Sequence, residues 1–236
     1  MKNSIHYFLN LFIGMTILLC MTTQAKASVS LSLTPYIGIA AQALNQKMPG
    51  SFGGNVIKGD YAQANIFAGL RFCDYLGIEG GYETTPLQTY MTAVPAGSTV
   101  FDAAVVNPPE MHSGKSQIRD WHASLVAFLP ITDQCFKFLA SIGVTRAKVF
   151  YYDYIMADAF SVINPFAFSN TFAASKTVLR LGAGAIYMIN DCAGVRALVG
   201  WNNTSRFHQI KSKEDVTRVI KLENSWNYGL GFFVEF

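Results

Sequence analysis

The chain has 236 residues, of which 51% are hydrophobic and only 14% charged. Outside the N-terminal stretch it holds no apolar run long enough for a membrane helix, so its apolar content must be carried by other elements. Its 18 basic residues fall to 16 without Lys2 and Lys26, against 15 acidic ones, a balance that gives no basis for nucleic-acid binding.

Residues 1–27 have the form of a signal peptide. Lys2 is the basic start, Tyr7 to Met21 is mostly apolar, and Gln24-Ala25-Lys26-Ala27 ends in a small-x-small cleavage pattern. Cys20 follows Leu19, where a lipoprotein site calls for a small residue. The expected domain is therefore residues 28–236.

The pattern beyond residue 30 predicts eight strands, over about 31–42, 60–72, 76–85, 117–130, 136–150, 175–189, 194–204 and 222–236. Pro35 suits only the beginning of the first. Three short breaks rich in Asp and Asn separate strand pairs: Phe72-Cys73-Asp74-Tyr75, Thr132-Asp133-Gln134-Cys135 and Asn190-Asp191-Cys192-Ala193-Gly194. Long stretches alternate with them, over about 43–60, 85–116, 152–175 and 203–221. Three short turns and four long loops put both ends of the strand set on one side, the asymmetry of outer-membrane barrels. Each break carries one cysteine, and no metal-ligand spacing accompanies Cys73, Cys135 or Cys192. Neighbouring turns lie about 10 Å apart, too far for a disulfide.

The last segment carries the clearest alternation. Trp226, Tyr228, Leu230, Phe232, Val234 and Phe236 occupy every second position and so share one strand face. Ten steps at about 3.3 Å, tilted by about 40°, climb about 25 Å, the height of an apolar band in a transmembrane barrel. The same parity carried through the chain sends Ile66, Ile78, Trp121, Leu125, Phe138, Val144, Tyr187, Val195 and Val199 outward. The opposite parity collects Arg71, Glu79, Glu83, Asp120, Lys137, Arg180, Arg196 and Glu235. Confining charge to one parity is the main internal test, since a lipid-facing charge at mid-bilayer costs about 2–4 kcal/mol. A soluble β-sandwich is the alternative, with the apolar parity packed in a protein core.

Several segments resemble the small eight-stranded outer-membrane β-barrel superfamily of OmpA-like transmembrane domains and opacity-type surface proteins. They are Tyr36-Ile37-Gly38-Ile39, Leu76-Gly77-Ile78-Glu79-Gly80-Gly81-Tyr82, and Gly182-Ala183-Gly184-Ala185-Ile186-Tyr187 followed by Gly194-Val195-Arg196-Ala197. The C-terminal strand resembles the assembly signal of such barrels, with Tyr228, Phe232, Val234 and Phe236 as its residues. The turn cysteines have no counterpart in that pattern. The resemblance implies a closed eight-stranded antiparallel barrel in a bacterial outer membrane, with lipid, lipopolysaccharide and the barrel assembly machinery as partners. It implies no single function.

An eight-stranded barrel is just wide enough to be filled by its own side chains, so four basic and four acidic lumen residues are expected to pair as a plug. Inward glycines leave room either for bulky neighbours or for water. His122-Ala123-Ser124 puts a base and a hydroxyl on one face and is similar to the His-x-Ser of barrel-form lipid A deacylases. With both residues inward, a hydrogen-bonded lumen pair is the preferred account. The cations Lys211, Lys213, Arg218 and Lys221 of the fourth loop are candidates to meet lipopolysaccharide phosphates. The second and third loops carry Tyr90, Phe101, Phe160, Phe166, Phe168 and Phe172, the stronger candidates for a host or cell-surface ligand. The expectation is a non-enzymatic scaffold or adhesin without cofactor. The alternatives are a narrow porin-like channel and, behind it, a lipid A-modifying enzyme.

Overall fold

The structure is a computed structural model describing residues 32–46, 59–94, 99–100, 104–105, 110–131, 135–156, 168–204, 210–211, 217–218 and 223–236. Eight strands form the wall: β1 (Thr34–Asn45), β2 (Asp60–Arg71), β3 (Leu76–Thr84), β4 (Glu110–Pro130), β5 (Phe136–Met156), β6 (Phe168–Met188), β7 (Ala193–Asn202) and β8 (Ser225–Glu235). Their order is β3-β2-β1-β8-β7-β6-β5-β4, every pair is antiparallel, and β3 pairs with β4. That last ladder closes the sheet and leaves the wall without an open edge. Residues 1–27, expected to be a signal peptide, lie outside the described residues.

The first and third short breaks become tight turns, while residues 132–134 of the second lie outside the described residues. In the one between β6 and β7, the Asn190 side-chain oxygen accepts the N–H groups of Cys192 at 2.9 Å and Ala193 at 2.7 Å. Asn is suited there because its short amide mimics a backbone turn. Cys73, Cys135 and Cys192 are unbridged. At the same end, the Phe236 N–H donates to Pro35 O at 3.0 Å and the Glu235 N–H to Cys192 O at 2.7 Å.

The structure moves several expected boundaries. The largest changes are at the opposite end, where β5 runs on to Met156, β6 starts at Phe168 and β4 starts at Glu110. These three strands have 21 residues each. At about 3.3 Å per residue and a 40° tilt each climbs about 50 Å, twice the apolar band. A further strand, Gln88–Val94, pairs with the projecting part of β4, from Gln88 opposite Ser116 to Val94 opposite Glu110. Two-residue ladders join Thr99–Val100 to Ala104–Val105 and Ile210–Lys211 to Thr217–Arg218. The expected loops at 85–116, 152–175 and 203–221 are therefore partly sheet. The run Phe150-Tyr151-Tyr152-Asp153-Tyr154-Ile155-Met156 is rich in β-formers, which favours pairing over open loop.

The expected outward parity is outside the barrel. Leu230 is 72% exposed, Trp121 64%, Ile39 61% and Leu125 60%. A sandwich would have buried these residues, so that alternative fails. The inward parity fills the lumen, and just inside the short-turn mouth it is apolar. Tyr36, Phe67, Val126, Phe128, Leu139, Ile186 and Phe233 form one buried cluster. Tyr36 meets Phe67 and Phe233 edge-on, with ring centres 6.4 and 6.2 Å away. Glycines across the wall make space for these rings: a Cβ on Gly38 would strike Phe67, and one on Gly69 would strike Tyr36. Bulky neighbours, rather than open space, face these two glycines.

Candidate functional site

The charged residues occupy successive levels of the lumen. At the short-turn mouth, Arg71 makes a bidentate pair with Glu235, 2.9 Å for each bond. Lys137 lines the same mouth, in a cavity of about 520 Å³ with Arg71, Asp74, Tyr75 and Glu235. The apolar cluster lies next. Above it, Arg196 Nη1 bonds Glu79 Oε2 at 2.5 Å, and the Tyr36 hydroxyl donates to the same oxygen at 3.2 Å. The Arg196 guanidinium also stacks on the Phe67 ring, 3.3 Å from its centre.

Two inward positions further along β3, Arg180 holds Glu83 in a second bidentate pair at 2.9 and 2.6 Å, and Asn65 donates to Glu83 at 3.2 Å. Strand alternation explains the ladder: Glu79, Gly81 and Glu83 take successive inward positions on β3, while Gly81 pairs across with His122. The imidazole lies over Gly81, whose missing Cβ leaves the room. His122 Nδ1 is 3.6 Å from Glu83 and Nε2 is 3.9 Å from Glu79, so one imidazole spans both carboxylates.

Of the eight residues expected to pair, six form these three ion pairs. Asp120 and Lys137 do not meet. Asp120 sits opposite Glu83, within electrostatic reach of Arg180, while Lys137 is opposite Pro130 near the mouth. The two belong to different ends of the lumen, which composition counting cannot reveal. Above the ladder the lumen is lined by amides and hydroxyls. Asn227 donates to Gln42 at 3.4 Å, Asn202 to Ser225 at 3.3 Å and Thr145 to Asn202 at 3.4 Å.

Ser124 faces inward beside Gly143 and opposite Glu79, on the same wall as His122. Both are nearly fully buried. Neither faces the lipid side, where a lipid substrate would arrive. Among the described residues no group of three or more His, Cys, Asp and Glu side chains is placed to hold a metal ion.

The apolar stopper was the feature the sequence reading missed. Its signal was present, because Phe67, Phe128, Leu139, Ile186 and Phe233 break the polar run of the inward parity. A second correction concerns the outer wall. Charge is not confined to the inward parity: Arg119, Arg146 and Lys148 are exposed on the outward positions of β4 and β5. They lie where the strands leave the apolar band, so the cost of a charge in lipid does not apply to them.

On β8, Tyr228 is 51% exposed, Phe232 44% and Phe236 75%, and Val234 is partly covered. With the other outward residues they make an apolar belt around a closed wall. Every backbone group of such a wall is bonded within it, the condition for crossing lipid with strands. This is a transmembrane β-barrel.

No family profile matches the chain, and no curated protein matches it. Solved structures of small barrels resemble it. The attachment invasion locus protein Ail of Yersinia pestis is 13% identical over 87% of this chain and all of that one, with a TM-score of 0.49. The Neisserial surface protein NspA is 11% identical over 88% of this chain and 99% of that one, also at 0.49. The outer membrane protein OprG of Pseudomonas aeruginosa is 13% identical over 89% and 98%, at 0.47. These are likenesses of overall shape; the barrel itself rests on the strand pairing.

Proposed function

We propose that the chain is a non-enzymatic surface protein of a bacterial outer membrane, a scaffold or adhesin that carries its binding surface on the projecting strands and loops. The observation behind this reading is the contrast between the two ends of the barrel. The lumen is stoppered by the Phe67–Phe128–Phe233 cluster and by the Glu79–Arg196 and Glu83–Arg180 pairs. Meanwhile β4, β5 and β6 rise well beyond the apolar belt. A filled lumen offers no route for a solute and no cleft for a substrate, which weighs against the channel and the enzyme. A rigid sheet lifted above the membrane is a platform on which loops carry recognition.

Whole-cell attachment to host cells tests this. The segments to shorten are 95–109 and 157–167, which spare the strands on either side. Replacing each with a short Gly-Ser linker leaves the barrel folded, because closure entropy varies weakly with loop length. Attachment is expected to fall in at least one variant and to survive in the double variant His122→Ala, Ser124→Ala. Full attachment in both loop variants, with lipid A acylation altered only in the His122/Ser124 variant, would reject the proposal in favour of the enzyme.

A further inference from the structure

The outer wall of the barrel carries a compact group of cations at the upper margin of the apolar belt. Strand alternation sends Arg119 and Trp121 of β4, and Arg146, Lys148 and Phe150 of β5, to the same outside face. The ladder sets Arg119 directly opposite Lys148, and Trp121 directly opposite Arg146. Like charges facing each other across a ladder oppose sheet formation unless something compensates.

Two compensations are visible. The Phe150 ring lies under both cations, 4.9 Å from the Arg119 guanidinium carbon and 4.6 Å from Lys148 Nζ. Gln117 accepts a bond from Arg119 Nε at 3.0 Å. Neither supplies negative charge. The surrounding outward positions, from Tyr82 and Thr84 on β3 to Lys115 and Gln117 on β4 and to Ala173, Ser175, Thr177 and Leu179 on β6, hold no Asp or Glu among the described residues. Lys115 adds a fourth cation at the top of the group. The wall thus holds a surplus of positive charge in fixed positions and faces outward, where no part of the described chain neutralises it.

Its height identifies the partner. Tyr82 and Trp121 pack in a tilted arrangement with ring centres 4.7 Å apart, and such aromatics sit at the level of lipid headgroups. Arg146 is level with Trp121, and Arg119 and Lys148 are one outward step, about 7 Å of strand, further up. The cluster therefore meets the headgroup layer on the long-loop side. Resting on the membrane-barrel reading, we infer that Arg119, Arg146 and Lys148 form a site for the multiply phosphorylated headgroup of a lipid in that leaflet. Guanidinium groups match phosphate oxygens in a two-point fork, and the ammonium adds a point charge. This wall, rather than the fourth loop, is then the place where the chain meets lipid phosphate.

The test uses the full mature chain refolded into phosphatidylcholine bilayers that also contain phosphatidylglycerol and lipid A, the two contributing equal negative charge. Native mass spectrometry counts the lipids retained on each barrel. The wild type is expected to retain lipid A. The triple variant R119Q/R146Q/K148Q is expected to retain it about tenfold less or worse, as the loss of several headgroup contacts implies. The single variant K148E should show an intermediate loss, which keeps the test open if the triple variant folds poorly. Inorganic phosphate at equal phosphate concentration should not displace the lipid. Equal retention in wild type and variants, equal retention of phosphatidylcholine, or displacement by free phosphate would each overturn the site. A wild type that fails to insert into any bilayer would instead overturn the membrane reading beneath it.

Discussion

The Arg196 guanidinium carbon lies 3.3 Å from the centre of the Phe67 ring, while its Nη1 bonds Glu79. One cation therefore joins the apolar stopper to the charged ladder. The stopper supplies a face for the cation, and the carboxylate neutralises it. Removing either layer leaves the other without its partner, which makes the closed lumen a single packed unit.

Conductance follows from that closure. The wild-type barrel is expected to pass no steady ion current in a planar bilayer. Replacing Phe67, Phe128 and Phe233 together with Ala should open a path, at a folding cost of about 3–5 kcal/mol per Phe. A large steady current through the wild type would show that the cluster does not seal the lumen.

The Glu83–Arg180 pair is buried on both sides. Glu83→Gln removes the carboxylate bonded to Arg180, leaving Asp120 within electrostatic reach, and should lower stability by about 3–5 kcal/mol. Adding Arg180→Met to Glu83→Met should recover most of the loss, because the bonded cation and carboxylate are removed together. Urea unfolding in detergent micelles measures both. A Glu83→Gln variant as stable as wild type would mean that solvent reaches the pair freely.

Leu230 is the most exposed large side chain of the β8 belt interior. Leu230→Arg places a charge on the lipid face and should cost about 2–4 kcal/mol in a bilayer. Asn227→Leu, on the lumen side of the same strand, should leave bilayer insertion intact. Equal insertion and stability for wild type and Leu230→Arg would contradict the orientation of the wall.

Deleting Phe236 tests the proposed assembly signal. Its side chain is exposed and its N–H bonds Pro35 O, so little packing is lost. Refolding in micelles should be nearly unchanged, whereas the amount of folded barrel in cells should drop severalfold. Unchanged folded barrel in cells, measured by heat-modifiable gel mobility, would remove the role given to the terminal aromatic.

Strand number, order of short and long connections, and the two faces of the wall were legible from the sequence. A period of two is a local property, and Ile66, Trp121, Leu125 and Leu230 announce it without knowledge of their neighbours. The tight turns were legible for a similar reason, as at Asn190, where side-chain chemistry acts on residues two and three positions on. What the tertiary structure decided depends on register between strands far apart in the chain. Alternation placed eight charges inside, but only the ladders determine that Arg196 meets Glu79, that Arg180 meets Glu83, and that Asp120 and Lys137 stay at separate levels. The stopper needed the same information, since Phe67, Phe128 and Phe233 come from three strands and converge only when the sheet closes. The reach of β4, β5 and β6 also escaped local reading, because pairing with one another sustains those strands beyond the belt. That extension carries Arg119, Arg146 and Lys148 past the apolar band to the headgroup layer, where charge on the outward parity is tolerated.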